Sequence, residues 1–177
     1  MGGSISVKSE INKGTCITVE LDYPYIDNIE ESHQKRNKRK KDYSKLLSGK
    51  HVLLCEDNEI NIEIAHELLK NVGLNVDLCW NGLEGYEKFI AAGEDYYDAI
   101  LMDIRMPKMN GLEATTNIRN CNIKYGKFVP IIAMTANAMS EDRENCLNAG
   151  MNDFISKPIN KEDLYKSLYN LISNNRK

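Results

Sequence analysis

The chain has 177 residues, of which 42% are hydrophobic and 28% charged, an ordinary composition for one globular domain with additional residues. Its net charge of −3 is too small to indicate nucleic acid or a membrane surface as a partner, and no apolar run reaches the ~20 residues of a membrane-spanning helix. The five cysteines form no Cys-x-x-Cys pair and no secretory signal is recognisable, so we expect a cytoplasmic protein with reduced thiols.

Residues 4–21 contain two runs in which apolar and polar residues alternate, separated by Asn12-Lys13-Gly14. This pattern predicts a β-hairpin, and because a lone hairpin is marginally stable in water, it indicates the end of a larger unit. The segment resembles the last two strands of a histidine-kinase ATP-binding domain, with Asn12 where the family's Gly-x-Gly-Thr turn has its first glycine. The resemblance implies that residues 1–24 are a remnant of such a domain that cannot bind ATP by itself.

Residues 25–49 have a different composition, because acidic residues such as Glu30 and Glu31 precede a basic run at 35–41 and large apolar residues are scarce. Such a segment cannot offset the entropy of ordering, so we predict a charged linker. The basic run could also indicate nucleic-acid binding. It has no interleaved aromatic residues beyond Tyr43, which favours a solvated tether and no nucleic-acid partner.

From residue 50 onward, short apolar runs alternate with helical patterns bounded by capping and turn residues. The pattern predicts strands at 51–55, 75–80, 99–102, 129–134 and 153–156. It predicts helices at 60–72, 82–92, 112–118, 140–149 and after Asn160. Alternation of this kind is typical of an α/β domain in which helices cover both faces of a parallel sheet, here over residues 50–175.

Polar side chains follow four of these strands where they end: Glu56 and Asp57, Asp103, Thr135 and Lys157. The carboxyl ends of parallel strands share one edge of the sheet, where ligands bind in open α/β folds. Clustered carboxylates without His or Cys select a hard cation, so we predict Mg²⁺ as the cofactor. With a hydroxyl and a lysine suited to phosphate oxygens, the set indicates phosphoryl transfer onto Asp103.

Residues 50–175 resemble the receiver domain of two-component response regulators. The resemblance rests on four motifs: Val-Leu-Leu-Cys-Glu-Asp-Asn at 52–58, Leu-Met-Asp-Ile-Arg-Met-Pro at 101–107, Met-Thr-Ala at 134–136 and Ser-Lys-Pro at 156–158. It implies a flavodoxin-like (βα)5 doubly wound sheet of order 2-1-3-4-5.

The resemblance also implies a role for each acidic residue. Asp103 is the phosphoacceptor nucleophile, and Asp57 and Asp103 bind Mg²⁺ directly. The backbone carbonyl of Arg105 is a third ligand, and Glu56 acts through water.

Among the remaining positions, the resemblance implies that Thr135 and Lys157 contact the phosphoryl group. It also implies that the Lys157–Pro158 peptide bond is cis. Phe154, three residues before the lysine, matches the switch aromatic of the family, which would respond to phosphorylation together with Thr135.

The first predicted helix of this domain carries more apolar residues than one core face requires. We assign its core face to Ile64, Ala65, Leu68 and Val72. Three further apolar residues, Ile60, Ile62 and Leu69, would then lie outside that face, and extra exposed apolar area can mark a docking site. We predict that a four-helix phosphotransfer partner docks there.

The function we predict is phosphorelay within the C-terminal part of a hybrid histidine kinase. The phosphodonor would be a histidine-kinase domain or a histidine phosphotransfer protein, and the receiver would catalyse only its own phosphorylation and dephosphorylation. One alternative is a non-phosphorylated pseudo-receiver that acts as a protein-binding module. Another is an aspartate-nucleophile phosphatase, although those enzymes use Asp-x-Asp and this chain has Arg105 at the second aspartate position.

Overall fold

The computed structural model describes residues 3–11, 13–21, 42–136 and 140–174, without the side chains of residues 140–142. Residue 12 of the predicted hairpin turn and most of the predicted linker lie outside the described residues. The chain divides into two compact units, Met1–Lys41 and Asp42–Lys177. None of the described helices is long and apolar enough to cross a membrane.

The first unit contains the predicted hairpin. Its strands β1 (Gly3–Glu10) and β2 (Gly14–Leu21) pair antiparallel. Ile5 lies opposite Val19 and Val7 opposite Ile17, so apolar side chains share one face of the ribbon, and all four are exposed. The hairpin is thereby confirmed, whereas its origin in a kinase domain stays a prediction.

The second unit contains a five-stranded parallel sheet with helices between successive strands. The strands are β3 (His51–Cys55), β4 (Asn75–Cys79), β5 (Ala99–Asp103), β6 (Ile131–Thr135) and β7 (Asp153–Ser156). The helices are α1 (Ser44–Leu47), α2 (Glu59–Lys70), α3 (Gly82–Ala92), α4 (Gly111–Asn120), α5 (Ser140–Ala149) and α6 (Lys161–Asn174), with a 3-10 turn at Lys124–Lys127. The sheet order is β4-β3-β5-β6-β7, which confirms the predicted 2-1-3-4-5 order.

Two apolar cores cover the two faces of this sheet. Successive side chains of a strand point to opposite faces, so Leu101 of β5 packs with α2 and α6, whereas Ile100 and Met102 pack with α3, α4 and α5. Every residue of β5 and β6 is buried. Burial on both faces explains why the sequences of these strands are continuous apolar runs. The polar residue that ends each strand lies at the carboxyl edge of the sheet.

The second unit begins before residue 50, within the segment that we assigned to the linker. Leu47 of α1 is fully buried in the core beside α6. The ring of Tyr43 lies 5.7 Å from that of Tyr169 and 6.0 Å from that of Tyr165. One helical turn is too short to show a periodic pattern, which is why the sequence does not reveal it.

The buried face of α2 differs from our prediction, so two of the predicted docking residues are wrong. Ile62 is 5% exposed and Leu69 is fully buried, and both lie with Ala65 on the core stripe of the helix. Ile60 is 68% exposed, as predicted, and Ile64, which we placed in the core, is 48% exposed. The helix carries apolar residues at two overlapping helical spacings, and packing against the sheet selects only one of them.

Candidate functional site

Three carboxylates meet at the carboxyl edge of the sheet. Glu56 and Asp57 follow β3, and Asp103 is the last residue of the adjacent strand β5. Each offers an oxygen that lies within 4.8 Å of the other two. Glu56 and Asp103 are buried, whereas Asp57 is exposed. The arrangement forms an acidic pocket that opens to solvent on one side.

Lys157 supplies the positive charge of this pocket. Its Nζ lies 2.8 Å from Asp103 Oδ2 and 2.6 Å from Glu56 Oε2. The lysine follows β7, its backbone N–H donates to the carbonyl of Thr135 at 2.7 Å, and the Lys157–Pro158 bond is cis, as predicted. The end of the edge strand thus turns this side chain back towards the centre of the sheet.

The pKa values of Asp103 and Lys157 reflect this crowding. Burial raises the pKa of the Asp103 carboxyl, the charge of Glu56 adds to the rise, and the hydrogen bond from Lys157 offsets only part of it. Burial alone would lower the pKa of Lys157, but its hydrogen bonds to Asp103 and Glu56 outweigh that effect and raise it above the ordinary value. The raised pKa of Lys157 favours its charged form. The raised pKa of Asp103 disfavours its ionised form, chiefly because the carboxyl is buried.

The chemistry of the donors fits the predicted Mg²⁺. The three ligand-bearing side chains offer carboxylate oxygens only, which is the preference of hard divalent cations. Glu56, Asp57 and Asp103 would hold the ion. The side chain of Arg105 is exposed, and its backbone N–H donates to Asp103 Oδ1 at 3.3 Å. Its role as a carbonyl ligand remains a prediction.

Thr135 and Phe154 lie on the strands beyond Asp103. Thr135 ends β6, is 5% exposed and pairs with Ser156 of β7, immediately before the lysine. Phe154 lies on β7 opposite Ala133 and is partly buried. The guanidinium carbon of Arg143 lies 5.0 Å from the centre of its ring. Their switch roles stay predictions.

Asn61 belongs to the site although sequence reasoning did not identify it. Its side-chain amide donates to Glu56 Oε1 at 3.0 Å, and the backbone N–H of Asn58 donates to the same oxygen at 3.3 Å. Asn58 caps the N-terminus of α2 by accepting from the Asn61 N–H. An asparagine before an apolar helical pattern is a sequence signal for the N-cap at Asn58. No such signal exists for the contact between Asn61 and Glu56.

Gly111 is a second residue of this kind. The predicted helix at 112–118 begins one residue earlier in the structure, where Asn110 caps α4 and Gly111 is the first residue of that helix. A Cβ atom at Gly111 would lie only 2.0 Å from the backbone oxygen of Asp103. Glycine is needed here because α4 begins directly against the residue that we predict to be phosphorylated.

The fold and the acidic pocket define the class of the domain, and comparison with known proteins agrees. Residues 52–169 match the family model described as the response regulator receiver domain. The chain belongs to this family.

Its relatives include hybrid kinases. It is 44% identical over 127 residues to hybrid signal transduction histidine kinase L of Dictyostelium discoideum, which covers 71% of this chain and 7% of the relative. It is 34% identical over 162 residues to the aerobic respiration control sensor protein ArcB of Escherichia coli (strain K12), covering 90% of this chain and 19% of the relative. The chain therefore spans less than a fifth of either protein.

A solved structure supports the fit of the pocket to a metal. The receiver domain of sensor histidine kinase PA1611 from Pseudomonas aeruginosa PAO1 is 42% identical, with a TM-score of 0.63 over 71% of this chain and 99% of that one. That crystal structure has a magnesium ion coordinated in the active site cleft.

Proposed function

We propose that this chain accepts a phosphoryl group from phosphohistidine onto Asp103 and acts as the receiver of a phosphorelay. The observation that carries the proposal is the pocket in which Glu56, Asp57 and Asp103 bring oxygens within 4.8 Å of one another, with Lys157 Nζ 2.8 Å from Asp103. Membership of the receiver family supports it.

In the proposed reaction, a carboxylate oxygen of Asp103 attacks phosphorus while the bond from phosphorus to the donor imidazole breaks. Lys157 turns from the carboxylates to the incoming phosphoryl oxygens and stabilises their charge. The hydroxyl of Thr135 is proposed to donate to the same group. Mg²⁺ held by Asp57 and Asp103 would neutralise charge in the pocket and bring the two anionic reactants together.

Incubation with acetyl phosphate and Mg²⁺ tests this proposal. Intact-mass spectrometry is expected to show the gain of one phosphoryl group, which disappears in Asp103→Asn and when EDTA replaces Mg²⁺. Asp95→Asn is the matched control, because Asp95 is an exposed aspartate that precedes β5, at the other edge of the sheet. Absence of any gain with Mg²⁺ would favour the pseudo-receiver, and sustained turnover of a phosphate ester would favour the phosphatase.

The exposed side of α2 is the proposed docking surface for the histidine-containing partner. Ile60 and Ile64 lie one helical turn apart on it, 68% and 48% exposed, close after the acidic residues in the chain. An apolar pair beside the pocket suits a four-helix phosphotransfer protein, which presents its histidine on a helix face. The partner of this chain in a two-component relay would thereby bring phosphohistidine to Asp103.

Phosphotransfer kinetics test this surface. Ile60→Ser is expected to slow transfer from a phosphorylated histidine phosphotransfer protein without changing phosphorylation by acetyl phosphate. Ile90→Ser on α3 is the matched control, since Ile90 is an isoleucine 37% exposed on another helix. Equal effects of the two substitutions, or magnetic resonance shifts that avoid residues 58–72, would contradict the proposed surface.

We also propose that the chain is part of a hybrid histidine kinase, with the hairpin as the remnant of its ATP-binding domain. The alignment with ArcB covers 90% of the chain, so it must include residues that precede the receiver. The hairpin exposes its apolar face, which suits a ribbon that belongs to a larger sheet. Titration with a fluorescent ATP analogue is expected to show no binding by this chain, and saturable binding would contradict the remnant.

A further inference from the structure

The two oxygens of the buried Glu56 carboxylate have different partners. Oε1 accepts from the side-chain amide of Asn61 at 3.0 Å and from the Asn58 N–H at 3.3 Å. Oε2 lies 2.6 Å from Lys157 Nζ, on the side of the pocket where Asp103 contacts the same ammonium. One oxygen is thus anchored to the start of α2, and the other is presented to the pocket.

We propose that Asn61 is a positioning residue that holds Glu56 in this orientation and thereby sets the affinity of the pocket for Mg²⁺. The inference rests on the proposed function, because it assigns a metal to the acidic pocket. Asn61 acts through Glu56 and has no contact with the metal itself.

Asn61 can hold Glu56 because its own position is fixed. Its backbone N–H donates to the side-chain oxygen of Asn58 at 3.1 Å, the N-cap bond of α2. The N–H of Ile62, a residue buried against the core, donates to the backbone oxygen of Asn58 at 2.9 Å. The amide of Asn61 is therefore presented by a packed and capped helical turn, whose backbone is already fixed when the amide binds the carboxylate.

The contact matters because Glu56 is buried beside a second carboxylate. Glu56 is 1% exposed, so water cannot replace a lost donor at low cost. Without the Asn61 amide, repulsion from Asp103 would favour a Glu56 orientation turned away from the pocket. Removal of a group that orients a metal-binding side chain typically weakens metal affinity by about 10–100-fold. For a single neutral hydrogen-bond donor such as the Asn61 amide, we expect a loss of about tenfold.

Titration of the full chain with Mg²⁺ alone tests the inference. Trp80 is the only tryptophan of the chain, and it directly follows Cys79, whose carbonyl accepts from the Glu56 N–H at 3.1 Å. Its fluorescence is the optical readout of the titration, and calorimetry is an independent one. Asn61→Ala is expected to raise the Kd for Mg²⁺ about tenfold. Asn120→Ala is the matched control, because Asn120 is a helical asparagine whose amide also donates one hydrogen bond, to Thr116 O at 2.9 Å.

A double-mutant cycle separates positioning from a general loss of structure. In a Glu56→Ala background, Asn61→Ala is expected to change the Kd by less than about twofold, because the side-chain oxygens on which Asn61 acts are gone. Thermal melts in EDTA identify loss of folding, and Asn61→Ser, which keeps a residue suited to a first helical turn, replaces Asn61→Ala if the alanine variant unfolds.

The outcomes distinguish the inference from the function on which it rests. Equal Kd values for the unsubstituted chain and Asn61→Ala, or an undiminished effect in the Glu56→Ala background, overturn the role of Asn61 and leave the proposed function intact. Failure of the unsubstituted chain to bind Mg²⁺ contradicts both.

Discussion

Gly111→Ala is expected to disturb the site more than its single methyl group suggests. The added Cβ would lie 2.0 Å from the backbone oxygen and 2.9 Å from the carbonyl carbon of Asp103, where real Cβ contacts are essentially never below 3.0 Å. The third close atom is Met102 Cγ at 2.9 Å, but movement of that side chain would leave the clash with the Asp103 backbone in place. We expect the end of β5 to shift away from α4 by about 1 Å, and this shift moves Asp103 itself.

Two effects of different size follow from that shift. Overpacking of this kind costs about 1–3 kcal/mol of unfolding free energy. For a chain of this length that corresponds to a fall in Tm of about 3–10 °C. A displacement of about 1 Å at the reacting carboxylate is expected to slow phosphorylation about 100-fold.

The comparison with Gly93→Ala separates stability from function. Gly93 has a φ of +82° at the end of α3 and nothing within 4 Å of a Cβ atom, so alanine there strains the backbone without touching the site. Melting curves and acetyl phosphate time courses should show that both variants lose stability but that only Gly111→Ala loses phosphorylation rate. A folded Gly111→Ala protein that is phosphorylated at the unsubstituted rate would refute the reasoning.

Three further outcomes are expected. Lys157→Met should slow phosphorylation of Asp103 by about 100-fold or more in a mass-spectrometric time course, because it removes the cation that faces the phosphoryl group, and a rate within about twofold would contradict that role. Mg²⁺ at 100 times its Kd should raise the unfolding free energy by about 2.7 kcal/mol, as measured by calorimetry. If Asp57 is a ligand, Asp57→Asn should abolish most of this stabilisation. Arg119→Lys should lose about 1–3 kcal/mol in urea unfolding, because its guanidinium donates to Gly150 O, Gly126 O and Asn152 Oδ1 at 2.7–2.9 Å. Since those acceptors precede β6 and β7, at the edge opposite the pocket, a matching loss of phosphorylation rate would contradict this reading.

The features that local chemistry determines could be predicted from the sequence. The strands β3, β5 and β6 are largely buried apolar runs, and polar or turn residues follow them. Both β3 and β7 have the predicted bounds. Because parallel strands end at one edge, the meeting of Glu56, Asp57, Asp103 and Lys157 followed from where each strand ends. The strand order, in contrast, was accessible only through family resemblance.

The features that tertiary packing decides could not be predicted. Ile60, Ile62 and Ile64 alternate along the first turns of α2, and only the docking of that helix on the sheet determines that Ile62 is buried. The role of Leu47 as a core residue likewise depends on α6, which lies more than a hundred residues later in the chain. Propensity and periodicity carry no information about such distant partners.

The contact between Asn61 and Glu56 could not be predicted from the sequence for another reason. Glu56 could be placed at the pocket from the sequence, but its bond with Asn61 depends on the path of the loop between β3 and α2 and on the rotamers of two side chains. Neither follows from the pattern of apolar residues. The same is true of the close approach of Gly111 to Asp103.

Phosphoryl transfer to Asp103 would give an acyl phosphate, and chemical reduction of that bond shows which residue carries it. After incubation with acetyl phosphate and Mg²⁺, reduction with sodium borohydride converts an aspartyl phosphate into homoserine, which peptide mass spectrometry assigns to a position. We expect homoserine at position 103 and at no other position that carries an aspartate in the sequence. When EDTA is present, we expect no homoserine. Homoserine at Asp57, or a stable phosphate on a serine or threonine with Asp103 unmodified, would contradict it.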